Sequence, residues 1–265
     1  MEHVVWLIPL GFVIGAYGTL IGAGGGFILV PLLLLLYPNE KPEIITSISL
    51  AVVFFNAFSG TIGYARNRRV DYKSGILLAA AAIPGSVLGA LSTSYVPRRV
   101  FDGVLGALMI AAALLLLWRP IEGKTAKNEN SVAEGGVGSY TYSKPVAVLL
   151  SLTIGYVSGL LGIGGGIVHV PALIYVLNFP VHIATATSHF VLAVIALSAT
   201  VVHIVTGNFT HGITRTIMLT IGVIFGAQLG VWFSGRMRAK WIMRGLAFGL
   251  IFLGARVLWL ALYAS

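Results

Sequence analysis

The amino-acid sequence predicts an all-α integral membrane protein of about eight apolar helical blocks in two inverted repeats, each starting with a Gly-broken hairpin. Three observations predict it: the scarcity of charge, the length of the apolar runs, and self-similarity at a near-constant offset. Of 265 residues, 57% are hydrophobic and 9% are charged, against about 25% charged in a soluble domain. So few charges cannot cover a water-exposed surface, so lipid is the solvent for most of the chain. The apolar runs lie at 4–37, 44–65, 75–95, 100–118, 145–178, 182–206, 213–233 and 240–263. Most reach the about 20 residues with which a helix crosses about 30 Å of hydrocarbon. Without water in the bilayer core, the backbone must satisfy itself in helices or in a closed barrel. A barrel would read as short alternating segments, whereas these runs are long and continuous.

Compared with itself, the chain repeats. Residues 20–33, Leu-Ile-Gly-Ala-Gly-Gly-Gly-Phe-Ile-Leu-Val-Pro-Leu-Leu, return at 160–173 as Leu-Leu-Gly-Ile-Gly-Gly-Gly-Ile-Val-His-Val-Pro-Ala-Leu, an offset of 140. Ile44, Thr46, Ser49, Ser59 and Thr61 match Ile183, Thr185, Ser188, Ser198 and Thr200 at an offset of 139. Gly85, Gly89 and Trp118 match Gly226, Gly230 and Trp259 at an offset of 141. The reading is an N-terminal repeat over 1–119 and a C-terminal repeat over 144–265. Between them 120–143, rich in Gly, Ser, Lys, Glu and Asn, reads as a solvated linker.

The first block of each repeat decides their relative orientation. The 4–37 run is too long for one ordinary span, and Gly22 to Gly26 breaks it, as Gly162 to Gly166 breaks 145–178. If each block is a hairpin, three further spans follow it and the repeats are inverted; if each crosses once, they are parallel. Lys and Arg prefer the cytoplasmic side. Inversion places 12 of them (Arg66, Arg68, Arg69, Lys73, Arg119, Lys124, Lys127, Lys144, Arg236, Arg238, Lys240, Arg244) opposite 5 (Lys41, Arg98, Arg99, Arg215, Arg256). The parallel arrangement divides them 10 against 7, so inversion is favoured. The net charge of +9 is therefore a topology signal and not a nucleic-acid surface. The start, Met-Glu-His, lacks a signal peptide's basic region, so the first block is expected to stay in the mature protein. With no cysteine, disulfide and thiol chemistry are excluded.

Three successive glycines inside an apolar run cost a helix about 1 kcal/mol each relative to alanine. Broken backbone at membrane depth must line a cavity or be buried in protein. A short apolar helix follows each tract, over Phe27 to Tyr37 and Ile167 to Leu177, with Pro31 and Pro171 five residues beyond the last glycine. A helix start offers unpaired N–H groups and a positive dipole end. Two such ends facing each other form an anion site without charged side chains. The candidate substrate-binding residues are thus Gly24, Gly25, Gly26, Gly164, Gly165 and Gly166, with Thr46, Ser49, Asn56, Thr185, Ser188, His169 and His189 around them. The competing reading makes the glycines close-packing surfaces and the hydroxyls interhelical or backbone hydrogen-bonders. His169 and His189 are either ligand- or proton-handling groups or neutral histidines bonded to neighbouring helices.

No Asp or Glu lies deep in an apolar block, which argues against an acidic cation pathway. No catalytic residues, metal-ligand cluster or cofactor motif is visible, and no Lys-Ser or Lys-Thr follows a glycine tract as in a nucleotide loop. The chain is read as a non-enzyme.

At the paired Gly-x-Gly-Gly-Gly tracts with their prolines, the eight-block hydropathy and the short linker, the sequence resembles the TauE/SafE sulfite exporter family, also called the toluene sulfonate uptake permease group. The resemblance covers nearly the whole chain. It implies a multi-pass permease of the prokaryotic inner membrane that moves sulfite, sulfonates, thiosulfate or related organic anions. With the residues it gives the leading expectation: a secondary transporter for a small anion, working by alternating access. The alternatives are an anion channel and a membrane-embedded partner of a sulfur-metabolising system. The expected partners are the small anionic substrate and the lipid bilayer, not nucleic acid, and a homo-oligomer is compatible with the sequence.

Overall fold

The computed structural model describes residues 5–118, 142–209, 212–234, 236 and 239–263. Most of the expected linker, and Arg119, Lys124, Lys127 and Arg238 of the charge count, lie outside the described residues. Among the described residues there are ten α-helices and no strand: α1 Leu7–Ile21, α2 Gly26–Leu36, α3 Pro42–Arg66, α4 Tyr72–Ser92, α5 Arg98–Trp118, α6 Lys144–Leu161, α7 Gly166–Tyr175, α8 Val181–Val205, α9 Ile213–Ser234 and α10 Ala239–Tyr263. Two of the sequence blocks therefore divide, one into α1 and α2, the other into α6 and α7. Five helices are long and apolar enough to cross a membrane: α3, α4 with its short 3-10 extension to Tyr95, α6, α8 and α9. The 11 residues of α2 and 10 of α7 reach about 16 Å, half the hydrocarbon thickness.

Local chemistry sets the helix ends. Pro42 opens α3 where its missing N–H is no loss. Asp71 caps α4, accepting from the Ser74 amide (3.1 Å) and hydroxyl (2.7 Å). Gly22 and Gly162 end α1 and α6 in the left-handed conformation, with φ of 88° and 71°. Pro31 and Pro171 sit inside α2 and α7, each removing one donor.

The side chains are distributed for a lipid solvent. Phe225 and Phe252 point outward at 66% and 75% exposure, while Thr46, Ser49, Asn56, His169, His189 and His203 are fully buried. In water such outer apolar surface would be an aggregation liability. In a bilayer it is the favoured arrangement.

The contacts fix the helix directions. Ile48 lies against Gly212, Ser59 bonds Ile224 and Gly63 meets Val231, so α3 and α9 run the same way. Thr46 lies by His203 and Gly60 by His189, so α3 and α8 run oppositely. Asp71 bonds Thr187 and Ser86 bonds Ser198 (2.6 Å), which sets α4 parallel to α8. α1 lies along α9 in the same sense, Gly11 against Leu219 and Gly15 against Val223. α6 lies along α4, Gly155 against Ala82 and Gly159 against Ser86. It follows that α1 and α6 run in opposite directions, and that helices from residues 5–118 and from residues 142–263 interleave.

Small residues permit these close approaches. A Cβ on Gly85 or Gly89 would collide with the carbonyl oxygen of Leu152 or Tyr156, and one on Gly222 or Gly226 with that of Ile8 or Phe12. Such contacts are the usual cement between membrane helices, where hydrophobic burial gives no driving force. At the face where α3 starts, Arg98 pairs with Asp102 (3.0 Å) and donates to the carbonyls of Glu40 (2.7 Å) and Leu34 (3.3 Å). Arg215 of α9 pairs with Glu40 (2.9 Å) and lies 3.8 Å over the Tyr37 ring. The loop after α2 is thereby tied to α5 and α9. Arg66 and Arg68 lie exposed at the opposite end of α3.

Candidate functional site

The two glycine tracts make near-identical tips. Gly22, Gly24 and Gly25 have φ of 88°, 73° and 79°, and Gly162, Gly164 and Gly165 have 71°, 75° and 79°. Any L side chain there is strained by about 1–2 kcal/mol per position. In the first tip the Gly18 carbonyl accepts from Gly22 (3.1 Å), Ala23 (2.9 Å) and Gly24 (3.1 Å). The chain then folds back, so that Gly25 lies against Ile14 and Gly165 against Ile154 and Ser158. The Gly25 carbonyl accepts from Ile28 and Leu29, and that of Gly165 from Val168 and His169. This leaves the N–H groups of Gly25, Gly26 and Phe27, and of Gly165, Gly166 and Ile167, without an acceptor among the described residues.

The tips meet. A Cβ on Gly26 would lie 2.6 Å from the Ile163 oxygen, and one on Gly166 would lie 2.5 Å from Ala23 Cα and 2.7 Å from the Gly22 oxygen. Gly24 packs on Leu192 and Val53, and Gly164 on Val53. Val53 and Leu192 stand at the middle of α3 and α8, so the contact sits mid-way through the two longest described spans. All the tip residues are buried. The broken backbone is thus enclosed by protein in this conformation, the second of the two conditions under which it survives at membrane depth.

The flanking hydroxyls are used reciprocally. Ser49 donates to the Gly162 carbonyl (2.6 Å) and Ser188 donates to the Gly22 carbonyl (3.2 Å). Each serine therefore holds the tip formed by the other stretch of chain. Thr46 and Thr185 back the same two glycines. Their hydroxyls bond within their own helices, to Glu43 (3.1 Å) and Val181 (2.8 Å). The six tip glycines with Thr46, Ser49, Thr185 and Ser188 are hence brought into one contact. Asn56 and His189 stand apart from it, further toward the C-terminal end of α3: Asn56 accepts from Thr19 (3.1 Å), and His189 lies edge-on to Tyr64 at 5.5 Å. His169 is buried in the first turn of α7 with neither ring nitrogen hydrogen-bonded. Sequence reading missed Thr19 and Tyr64. Tyr64 matches His203 at the repeat offset of 139, a signal that could have found it.

Half-length helices that meet end to end inside a multi-pass helical protein are the build of a membrane transporter. The chain belongs to the sulfite exporter TauE/SafE family, whose model matches residues 7–257. It is 30% identical over the full length of both chains to "Probable membrane transporter protein YunE" of Bacillus subtilis (strain 168). A probable membrane transporter protein of Xylella fastidiosa (strain Temecula1) is 28% identical, covering 97% of this chain and 95% of its own. One of Methanocaldococcus jannaschii is 25% identical, covering 88% and 87%. No solved structure matches. The protein is a multi-pass membrane protein of the transporter class and not an enzyme.

Proposed function

We propose that the protein is a secondary transporter for a small anion, of the sulfite, sulfonate or related organic class, working by alternating access. Residues 1–119 and 144–265 act as two inverted repeats joined by 120–143. The substrate is bound where the tips meet, by Gly24, Gly25, Gly26, Gly164, Gly165 and Gly166 with Thr46, Ser49, Thr185 and Ser188 beside them, while His169, Asn56 and His189 line the substrate's path on either side of the tips. The observation that carries this reading is the pair of helix starts with six unbonded N–H groups at the centre of the fold. Each start favours negative charge by about 0.3–1 kcal/mol when exposed and up to about 2 kcal/mol when partly buried. The preference for sulfur oxyanions comes from the family's name. Access alternates as the two interleaved stretches rock about the tips, breaking and re-forming the Ser49 and Ser188 ties.

The test is counterflow in proteoliposomes with sulfite, sulfate, thiosulfate, small sulfonates and carboxylates. Saturable exchange of one or more of these is expected. Gly25→Val and Gly165→Val should abolish it, by at least a hundredfold, in protein that still inserts. Wild-type rates in both variants would remove the tip site, and flux rising without saturation would replace the transporter with a channel.

A further inference from the structure

The two stretches match in backbone, yet they bury different polar groups at equivalent places. On α3, Asn56, Gly60 and Tyr64 are four residues apart and share a face. Thr19 Oγ1 donates to Asn56 Oδ1 (3.1 Å), and Tyr64 Oη donates to the Thr19 carbonyl (2.8 Å). That carbonyl also accepts the Gly22 N–H of the first tip (3.1 Å). Gly60 makes room for an imidazole: a Cβ there would lie 2.6 Å from His189 Cδ2, 3.1 Å from its Nε2 and 3.1 Å from Thr19 Cγ2. Thr19, Asn56, Tyr64 and His189 are all fully buried. Within this cluster Asn56 Nδ2 is buried without a hydrogen bond, and His189, whose ring faces the Thr185 carbonyl of its own helix, makes no well-formed hydrogen bond through either ring nitrogen. Arg69, just past α3, bonds the Tyr64 carbonyl through its amide (3.2 Å), and its buried Nη1 also lacks a partner.

The repeat supplies the control. At the matching positions Thr19 becomes Gly159, Asn56 becomes Ile195, Gly60 becomes Ala199, His189 becomes Leu50 and Arg69 becomes Asn208. At the Thr19, Asn56, Gly60 and His189 positions packing is therefore met by small and apolar residues, whereas Tyr64 and Arg69 have polar counterparts in His203 and Asn208. Each buried polar group left unmade costs about 1–3 kcal/mol, and this cluster of residues from α3 and α8 with Arg69 accumulates several. The unspent groups are mainly donors: an amide NH2, a guanidinium nitrogen and an imidazole that offers at least one N–H.

We propose that Asn56, His189 and Arg69 form a one-sided oxyanion-recognition niche, one hydrogen-bonded residue from the first tip, which selects the substrate on the Arg69 side of the tips. Asn56 Nδ2 and His189 donate to the oxygens, Arg69 supplies the charge, and Thr19 and Tyr64 hold the donors in place. The niche rests on the anion-transport reading and gives it a direction, because the set of Asn56, His189 and Arg69 is not repeated at the matching positions Ile195, Leu50 and Asn208.

The test measures KM and maximal rate in proteoliposomes for whichever of sulfite, sulfate, thiosulfate, small sulfonates or carboxylates the wild-type protein exchanges. Asn56→Leu and His189→Leu should each raise KM at least tenfold, with a smaller effect on maximal rate. Arg69→Gln, at a partly exposed position, should raise KM at least fivefold with the protein still monodisperse on size-exclusion chromatography, and Arg69→Lys should restore most of it. KM within twofold of wild type in all three loss variants, with Gly25→Val inactive, overturns the niche and leaves the tip site standing. No exchange of any of these anions by the wild-type protein overturns the anion reading itself, and the niche with it.

Discussion

Ser49 and Ser188 show what a residue-level reading reaches and where it stops. Their matched positions and their neighbourhood to the tips are visible in the sequence, because the repeat aligns them at a single offset. Their partners are not visible. Each hydroxyl donates to a carbonyl about 113 or 166 positions away, a choice made by which helix packs on which. The same holds for Asn56, whose oxygen is taken by Thr19, a residue unremarkable in the sequence. Ser49→Ala leaves the Gly162 carbonyl buried without its donor. A loss of about 1 kcal/mol is expected for it, and similarly for Ser188→Ala. Thermal unfolding in detergent would register this as a lowered midpoint in each variant. Unchanged midpoints would mean that the serines do not hold the tips.

At the scale of elements, the long spans were legible from hydropathy, since a membrane helix announces itself by length. The hairpins were legible from glycine tracts that an uninterrupted helix does not tolerate. The docking of α1 on α9 and of α6 on α4 was not. The sequence shows Gly85 and Gly89 matching Gly226 and Gly230, but a small-residue spacing says only that some backbone comes close. The structure identifies that backbone as Leu152 and Tyr156 for one pair and Phe12 and Ala16 for the other. Gly226→Leu must push α1 off α9, because the obstacle is the Phe12 carbonyl and not a movable side chain. Overpacking of at least about 1–3 kcal/mol is expected, seen as a sharp fall in monodisperse protein on size-exclusion chromatography. The adjacent Phe225→Leu, on an outward face with 66% exposure, should elute as wild type.

At the scale of the whole molecule, the hairpins and the charge distribution have to agree. α1 and α2 form a fold-back, α3 then leads from the Glu40 face to the Arg66–Arg69 face, and α8 runs against α3. Tyr95 after α4 and Val205 at the end of α8 therefore share the Glu40 face, while Asn67 after α3 and Trp118 at the end of α5 share the other. A parallel pair of repeats would instead put Val205 with Asn67, because 205 and 66 are matched positions at the offset of 139. The chain has no cysteine, so single cysteines are clean reporters. Tyr95→Cys and Val205→Cys, both at strongly exposed sites (86% and 81%), should react with a membrane-impermeant maleimide added to intact cells. Asn67→Cys and Trp118→Cys should react only after the membrane is opened, since the basic 66–73 segment marks their side as cytoplasmic. Val205→Cys labelling together with Asn67→Cys would exclude inversion. It would also separate the two tips' half-sites to non-equivalent sides of a rocking axis, leaving alternating access without its symmetry.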